Sequence, residues 1–194
     1  MKEISSQQLE KAIAVLKRGG VVVFPTETAY GLAADATNPV ATKRVCEIKE
    51  RIEEKVLPVI AADLDMVESF AGLTSKLKVL ASKHWPGALT LILPTLDTGL
   101  APGVMKNGEV AVRVSSHPVA QALSRGLGAP IVSTSANKTD GSVCYSIKCV
   151  KEQLGEEPDL FLDGGELTSR LPSTIVTVDD YGYPEVIRQG EIEI

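Results

Sequence analysis

The sequence predicts an α/β protein of the α+β-like kind, in which a twisted mixed sheet of parallel and antiparallel strands is flanked by helices. Two observations favour this fold class. Helical and strand patterns alternate in the first part of the chain, as in parallel strand pairs connected by helices. Later strands follow one another more directly, which favours antiparallel pairing. No repeat, low-complexity run or linker interrupts the pattern, so we expect a single domain over residues 1–194.

Caps and apolar spacing predict the helices. Ser5 and Gln8 have the spacing of a capping box, and the helix that they begin ends at Gly19. Asn38 before Pro39 indicates a second helix, because asparagine caps a helix and proline suits its first position. Further helices are predicted to begin at Asp63 and Thr74 and to cover 118–127 and 146–154.

Short apolar runs predict the strands. The first, at 21–24, is continuously apolar, as in a strand that is buried on both faces. The segment that follows, at 25–31, is polar and is predicted to be a loop. Further strands are predicted at 57–61, 88–93, 110–114 and 131–134, near Leu160, at 174–178 and at 185–187.

Composition places the chain among ordinary globular proteins. Of its 194 residues, 44% are hydrophobic and 23% are charged, which excludes disordered, collagen-like and coiled-coil proteins. The formal net charge of −5 argues against non-specific nucleic-acid binding as the main function. The charge is uneven, because residues 151–194 hold 3 basic and 11 acidic side chains. A local cationic pocket is therefore compatible with the first three quarters of the chain.

Hydropathy and cysteine content indicate the compartment. No apolar stretch is long enough to span a bilayer, and the polar start of the chain has no apolar signal core. Three cysteines, an odd and sparse number, favour a reducing environment, so we expect a cytoplasmic protein with no membrane contact. Cys144 and Cys149 have neither zinc-site nor redox-motif spacing and are treated as incidental. His84 and His117 have no visible ligand partner, which favours packing or capping roles.

Polar segments follow several predicted strands, where open α/β sheets usually bind ligands. They are rich in hydroxyl groups, arginine and lysine, a set that suits an anionic ligand. Each also has a plainer interpretation as a turn, a solvated helix end or a strand end that caps a helix. No P-loop, dinucleotide-binding fingerprint or cysteine–histidine cluster accompanies them. The segments are 25–31, 49–55, 113–117 and 133–137, with 172–174 and 188–190 as further candidates.

The order of these blocks is more specific than any one of them. They read PTETAYGLA at 25–33, KERIEEKVLPV at 49–59, WPGALTLIL at 85–93, VAVRV at 110–114, STSAN at 133–137, PSTIV at 172–176 and IRQG at 187–190. In this order they resemble the YrdC-type threonylcarbamoyl-adenylate synthases over nearly the whole chain, in the short, single-domain form. The resemblance implies a YrdC-like fold with a concave cationic cleft. It also implies a nucleotidyltransferase that joins L-threonine, bicarbonate and ATP into threonylcarbamoyl-adenylate and pyrophosphate, for transfer-RNA modification.

The resemblance implies a role for each matching residue. Contacts to threonine are implied for Thr28, Arg113, Ser135 and Ser173, with Arg113 holding the carboxylate. Contacts to ATP are implied for Lys49, Arg51, Lys55, Ser133, Asn137 and Arg188. ATP carries about four negative charges near neutral pH, so fixed cations, aided by Mg²⁺, must hold the crowded reactants together. No protein nucleophile is needed, because a carbamate formed on threonine attacks the α-phosphorus itself.

Three positions depart from the family pattern. Ile52 and Val56 stand where proline is common, and Asp140 places an acid near the expected triphosphate. We expect the labile adenylate to pass to a tRNA-modifying transferase complex, and direct contact with tRNA stays open. Two alternatives also stay open: an RNA-binding module of the same fold without ATP turnover, and another carbamoyl-adenylate-forming activity.

Overall fold

The computed structural model describes residues 2–50, 56–96, 99–179, 181 and 183–194. None of the helices in these ranges has the length and apolar content that crossing a bilayer requires. The helices are α1 (Ser6–Lys17), α2 (Pro39–Ile48), α3 (Leu64–Phe70), α4 (Ser75–His84), α5 (Pro118–Leu127) and α6 (Ile147–Leu154), with a 3-10 turn at Pro102–Val104. The strands are β1 (Val22–Pro25), β2 (Tyr30–Ala33), β3 (Val59–Ala61), β4 (Leu89–Pro94), β5 (Met105–Lys106), β6 (Glu109–Val114), β7 (Ile131–Val132), β8 (Thr134–Ser135), β9 (Leu160–Phe161), β10 (Thr174–Val178) and β11 (Pro184–Arg188).

The strands form two mixed sheets. In the described part of the chain, one has the order β8-β2-β1-β9 and the other the order β11-β10-β4-β6-β3-β7, with β5 beside β6. Strand β1 is antiparallel to β2 and parallel to β9, and β6 is antiparallel to β4 and parallel to β3. The predicted fold class is confirmed, but the strands are divided between two sheets where one was expected.

The division between the sheets runs through a segment that was predicted as one strand, at 131–134. Strand β7 pairs antiparallel with β3 in the larger sheet, whereas β8 pairs antiparallel with β2 in the smaller one. Between them, the amide of Ser133 donates a hydrogen bond to the carbonyl of Pro58 at 2.8 Å. The chain therefore changes sheets at Ser133, and hydropathy could not indicate this because both halves are extended.

The first two residues of strand β2 were predicted as the end of a polar loop at 25–31. Ahead of it, the Thr26 hydroxyl accepts hydrogen bonds from the amides of Thr28 and Ala29 at 3.2 and 3.1 Å and donates to the Ala29 carbonyl at 2.6 Å. This turn reverses the chain, so Tyr30 lies opposite Pro25 and the strand returns beside β1. The hydrogen bonds of the Thr26 side chain therefore stabilise the turn that forms this hairpin. A polar turn of this kind is consistent with a strand on each side of it.

The predicted helix starts are confirmed. Ser5 and Gln8 make the reciprocal bonds of a capping box at α1. Asn38 accepts hydrogen bonds from two amides in the first turn of α2. The expected capping role of His117 is also confirmed, because its Nδ1 accepts from the amide of the second residue of α5 at 3.3 Å. The side chains that cap α3, α4 and α6 are Asp63, Thr74 and Ser146.

Both sheets contribute to two hydrophobic clusters. Along β1, Val23 faces the larger cluster, while Val22 and Phe24 face the smaller one. Helices α1 and α5 cover the smaller cluster with side chains such as Leu16 and Leu123. Burial of each such leucine contributes about 1.5–3 kcal/mol, and a strand buried on both faces must be apolar throughout. This packing leaves polar side chains to the strand ends and turns.

Asp159 joins three elements, because it precedes β9 and contacts α2 and the residue before β1. Its carboxylate accepts a hydrogen bond from the amide of Val21 at 2.8 Å and two from the guanidinium of Arg44 at 2.5 and 3.0 Å. Burial by itself raises the pKa of Asp159, but the hydrogen bond from Arg44 and then that from Val21 outweigh it, so the pKa lies below its usual value of 3.8.

We predict that Asp159→Asn lowers the free energy of unfolding at pH 7 by about 1–2 kcal/mol, because it weakens the hydrogen bonds to an ionised carboxylate. Solvent partly screens these bonds at this exposure, which limits the loss. The lowered pKa means that the ionised carboxylate stabilises the fold fully above its unfolded-state pKa of 3.8, and less as the pH falls through the folded-state value. Urea unfolding at neutral and acidic pH measures both effects. The variant should lose less stability on acidification than the native chain does.

Glu68→Gln is the control for this measurement, because it removes an exposed ion pair with Lys78. It should change the free energy of unfolding by less than about 0.5 kcal/mol. Equal acid sensitivity of the Asp159→Asn variant and the native chain would contradict the prediction.

Candidate active site

A cleft of about 560 Å³ is lined by residues from both sheets. This volume lies within the range of about 300–1,000 Å³ that is typical of small-molecule sites. The cleft brings together side chains from five sequence blocks that were singled out as candidates. The predicted contact residues that line it are Thr28, Arg113, Ser133, Ser135, Ser173 and Arg188.

Lys49 and Asn137 were predicted to contact ATP, but neither lines the cleft. Lys49 is only 3% exposed, and its ammonium group donates hydrogen bonds to the carbonyl oxygens of Ser135 and Asn137, the latter at 2.6 Å. The Asn137 amide nitrogen donates to two carbonyls of the turn at 138–141, at 2.8 and 2.9 Å. Both side chains therefore hold the backbone of the segment that carries the cleft serines.

The remaining predictions concern positions 51–56 and 140. Arg51 and Lys55, both predicted to contact ATP, lie outside the described residues, and so does Ile52. Val56 lines the cleft. Asp140 is exposed in a left-handed turn, with φ of 63°, and is not among the lining residues. The acid at position 140 therefore does not face the cleft.

Arg113 is a buried cation in the cleft wall. Its side chain is 9% exposed, and Nη1 donates to Oε1 of Glu27 at 2.8 Å. No other group of the described residues accepts a hydrogen bond from the guanidinium, which carries five N–H donors. Burial lowers the pKa of Arg113, and the neighbouring Glu27 carboxylate opposes that shift. The guanidinium stays charged and keeps N–H groups for a ligand.

A second guanidinium lies at the end of β11. The Nε and Nη2 atoms of Arg188 donate to the Ser173 carbonyl at 3.3 and 2.8 Å, and Nη2 lies 3.3 Å from the Ser173 hydroxyl. That hydroxyl also shares a hydrogen bond of 2.8 Å with the hydroxyl of Thr90. Burial lowers the pKa of Arg188, and the positive charge of Arg113 lowers it further. The two guanidinium groups therefore repel each other, and a bound anion would relieve this repulsion.

The predicted cationic character of the cleft is confirmed. Its described lining includes Arg113, Arg170 and Arg188 and contains no aspartate or glutamate. The chain as a whole is acidic, with a net charge of −5, but a bound ligand responds mainly to the charges that are close to it. The arrangement can thus hold several anionic groups next to one another.

Two titratable side chains near the cleft are uncharged at neutral pH. Burial raises the pKa of Tyr30 to about 12, the charge of Asp163 adds to the shift, and the phenol donates to the Gly165 carbonyl at 2.7 Å. Burial lowers the pKa of His117, although Glu27 opposes the shift. The chemistry of the cleft therefore depends on hydrogen bonding and on its arginines.

The residues at the cleft that were not predicted as ligand contacts include Glu27, Thr90, Tyr145 and Arg170. Glu27 and Thr90 lie inside the blocks PTETAYGLA and WPGALTLIL, so their position in those blocks could have identified them as candidates. Arg170 comes two positions before PSTIV, which is a weaker signal, and Tyr145 lies in none of the blocks. Only the fold places Tyr145 and Arg170 in the lining.

The segment 143–145 forms part of the cleft wall and is joined to α6 by a disulfide between Cys144 and Cys149. The prediction that these two cysteines are incidental is wrong. Their separation of five positions matches no common motif, and the sulfurs meet because the chain turns at Ser146 to begin α6. The third cysteine, Cys46, is free and buried.

A family model described as telomere recombination, Sua5/yciO/yrdC, matches residues 14–190. The chain belongs to the Sua5/YciO/YrdC family. The resemblance inferred from the seven sequence blocks is thereby confirmed.

Two relatives are named threonylcarbamoyl-AMP synthase. The protein from Bacillus subtilis (strain 168) is 38% identical over 187 residues, which is 95% of this chain and 54% of that protein. The protein from Vibrio vulnificus (strain YJ016) is 36% identical over 187 residues, which is 94% of this chain and 98% of that protein. The chain thus spans about half the length of the Bacillus relative and nearly all of the Vibrio relative.

A solved structure gives the same result for the fold. The crystal structure of P. abyssi Sua5 complexed with L-threonine is similar to this chain with a TM-score of 0.91 and 30% sequence identity. The similarity covers 97% of this chain and 56% of the P. abyssi chain. The family fold therefore accounts for nearly every described element.

We predict that Lys49→Met destabilises the fold, because it leaves the carbonyl oxygens of Ser135 and Asn137 without this buried donor. The Ser135 carbonyl keeps its hydrogen bond from the Asn137 amide at 3.0 Å, so the main cost is the Asn137 carbonyl. At about 1–3 kcal/mol for an unpaired group, the free energy of unfolding should fall by about 1–3 kcal/mol, measured by urea unfolding. Lys138→Met is the matched control, because it removes an exposed ammonium that pairs with Glu50. Unchanged stability of Lys49→Met together with lost ATP binding would instead support a direct contact between Lys49 and ATP.

Proposed function

We propose that this chain is a threonylcarbamoyl-AMP synthase, a nucleotidyltransferase that joins L-threonine, bicarbonate and ATP into L-threonylcarbamoyl-adenylate and releases pyrophosphate. The product serves the formation of threonylcarbamoyladenosine in tRNA. Relatives of this name cover most of the chain at 36% and 38% identity. The observation that carries the proposal is the buried Arg113 guanidinium in a cleft lined by hydroxyls. Apart from Nη1, its N–H groups bond to none of the described residues, and they match a carboxylate.

Threonine binds with its carboxylate on Arg113. Its other polar groups lie among the hydroxyls of Thr28, Ser135 and Ser173, which line the same cleft. The complex of P. abyssi Sua5 with L-threonine supports an amino-acid ligand for this fold. Serine would lose only methyl contacts, worth roughly 1–3 kcal/mol, whereas valine would leave buried polar groups unpaired and be rejected more strongly.

The phosphates of ATP bind to the other cations of the cleft. Arg188, Arg170 and Ser133 line it and supply guanidinium and hydroxyl donors. Arg51 and Lys55 extend this set on the strength of the family motif, while Lys49 and Asn137 hold the segment that carries the serines. Two like charges about 4 Å apart repel by about 4 kcal/mol at an effective dielectric constant near 20, so these cations are needed before the reactants can meet.

Magnesium enters as part of the substrate, bound to the phosphates of ATP. Among the described residues, no three histidine, cysteine, aspartate or glutamate side chains form a metal-binding group. The described lining of the cleft also contains no carboxylate. The residues present therefore fit a metal that is held by the nucleotide, and no step of the reaction is assigned to a resident ion.

The reaction needs no covalent bond to the protein. The neutral amine of threonine bonds to the carbon of bicarbonate and gives a carbamate as a C–O bond breaks and water leaves, or it bonds to carbon dioxide and a proton is released. A carbamate oxygen then bonds to the α-phosphorus, and the bond from that phosphorus to the pyrophosphate oxygen breaks. The side chains act by holding the two anions in line and by stabilising negative charge as it moves to the leaving group.

The product is a mixed anhydride that water hydrolyses, so we assign its use to a tRNA-modifying transferase complex in the cytoplasm. The chain acts in this step as one domain over residues 1–194. Direct contact with tRNA is tested by the salt dependence of RNA binding, which is steep when phosphates are contacted.

The test of the function is pyrophosphate release by the purified chain supplied with ATP, bicarbonate and threonine. We expect release that requires all three substrates. An RNA-binding module would show no turnover, and another carbamoyl-adenylate-forming activity would show release that ignores the omission of threonine. Either result would contradict the proposal.

We predict that Arg113→Ala weakens threonine binding about 10- to 100-fold while changing ATP binding less, because it removes hydrogen bonds to an ionised carboxylate worth about 1.5–3 kcal/mol. Arg188→Ala and Arg51→Ala should have the opposite preference. Calorimetric titration of each variant with threonine and with ATP measures both affinities. Equal losses for the two ligands would contradict the assigned roles.

A further inference from the structure

Glu27 is held on both of its carboxylate oxygens. Its Oε1 accepts from Nη1 of Arg113 at 2.8 Å, and its Oε2 accepts from the hydroxyl of Ser115. The Glu27 side chain is 14% exposed, so both bonds form in a poorly hydrated environment, where charged hydrogen bonds are strong. The carboxylate therefore has a fixed orientation, and so does the guanidinium that it pairs with.

The carboxylate of Glu27 pairs with the guanidinium from outside the lining of the cleft. Arg113 is among the residues that line the cleft, and Glu27 is not. With Nη1 engaged by Glu27, the described chain makes no hydrogen bond to Nε or Nη2 of Arg113. These two nitrogens form one edge of the planar guanidinium, which is the geometry that accepts a carboxylate through two parallel bonds.

The pairing also joins the two sheets at the cleft. Glu27 lies in the turn between β1 and β2 of the smaller sheet, next to Thr28, which lines the cleft. Arg113 lies in β6 of the larger sheet, and Ser115 follows that strand directly. A change in the pairing would therefore alter both the direction of the guanidinium and its distance from the hydroxyl of Thr28.

Because Glu27 carries a negative charge, Arg113 and the other arginines of the cleft favour different anions. Paired with Arg113 it gives a site with little net charge, which attracts a polyanion weakly but still offers two aligned donors to one carboxylate. Among the described residues, neither Arg188 nor Arg170 has such a buried counter-charge. Arg188 bonds to Ser173, and Arg170 lies 3.6 Å from Glu191, whose side chain is 33% exposed. The polyphosphate is therefore favoured on these arginines.

We propose that Glu27 is a positioning residue for the amino-acid substrate: it fixes one edge of Arg113 so that the opposite edge receives the substrate carboxylate, and Ser115 holds Glu27 in place. This inference rests on the proposed function, because it concerns the threonine carboxylate. Glu27 contacts neither substrate itself and acts through Arg113.

The experiment compares the native chain with Glu27→Gln, which keeps the size of the side chain and removes its charge. Titration with threonine should give an affinity at least about tenfold weaker for the variant, while the affinity for ATP changes less than about twofold. Inorganic pyrophosphate should also compete with threonine more strongly in the variant, because the polyanion is no longer repelled from Arg113. A merely structural role would weaken threonine and ATP binding together.

Two further variants separate charge from shape. Glu27→Asp restores the charge on a shorter side chain and should recover part of the threonine affinity. Glu68→Gln removes the exposed ion pair with Lys78 and should leave both affinities unchanged. If Glu27→Gln fails to fold, Ser115→Ala takes its place, with an expected loss of about two- to fivefold for threonine and none for ATP.

Threonine affinity equal to that of the native chain, in a folded Glu27→Gln variant or in Ser115→Ala when that variant is needed, would overturn the inference. Failure of the native chain to bind threonine at all is a different result. It would overturn the proposed function and, with it, the ligand on which this role of Glu27 depends.

Discussion

A buried guanidinium group is costly unless a counter-charge or hydrogen-bond acceptors lie beside it, and the cleft of this molecule is arranged around one buried ion pair. Arg113 belongs to the larger sheet and Glu27 to a turn of the smaller one, so their ion pair connects the two sheets at the cleft. Because the pairing uses one nitrogen of the guanidinium, the same interaction that stabilises the fold leaves N–H groups for a ligand.

Other polar groups of the cleft are also held in place by hydrogen bonds from neighbouring residues. Lys49 bonds to carbonyls of the segment that carries the cleft serines, Thr26 closes the turn that carries Thr28, and Thr90 bonds to the Ser173 hydroxyl. Side chains that are held in this way need little reorganisation when ligands arrive. A site that works by positioning anions, without a protein nucleophile, depends on such preorganisation.

Local signals predicted much of the fold. The helix starts were correct because a cap and the amides that it satisfies lie within a few residues of each other, as at Ser5 and Asn38. Sheet membership was not predictable in this way, because it depends on partners that are distant in the sequence. The segment at 131–134 was therefore expected to be one strand, although its halves pair with different sheets. The link between Cys144 and Cys149 was missed for a similar reason, since it depends on a turn of the folded chain.

The sequence by itself determined the helix starts, the apolar strands, the family and six of the side chains that line the cleft, because these depend on local spacing and on the order of its motifs. Only the tertiary structure decided which charged groups line the cleft. Lys49 and Arg188 are both basic residues in family motifs, yet Lys49 bonds to backbone carbonyls inside the protein and Arg188 lines the cleft. The direction of a long cationic side chain depends on which carbonyls and carboxylates other elements bring within its reach, and folding alone supplies those partners.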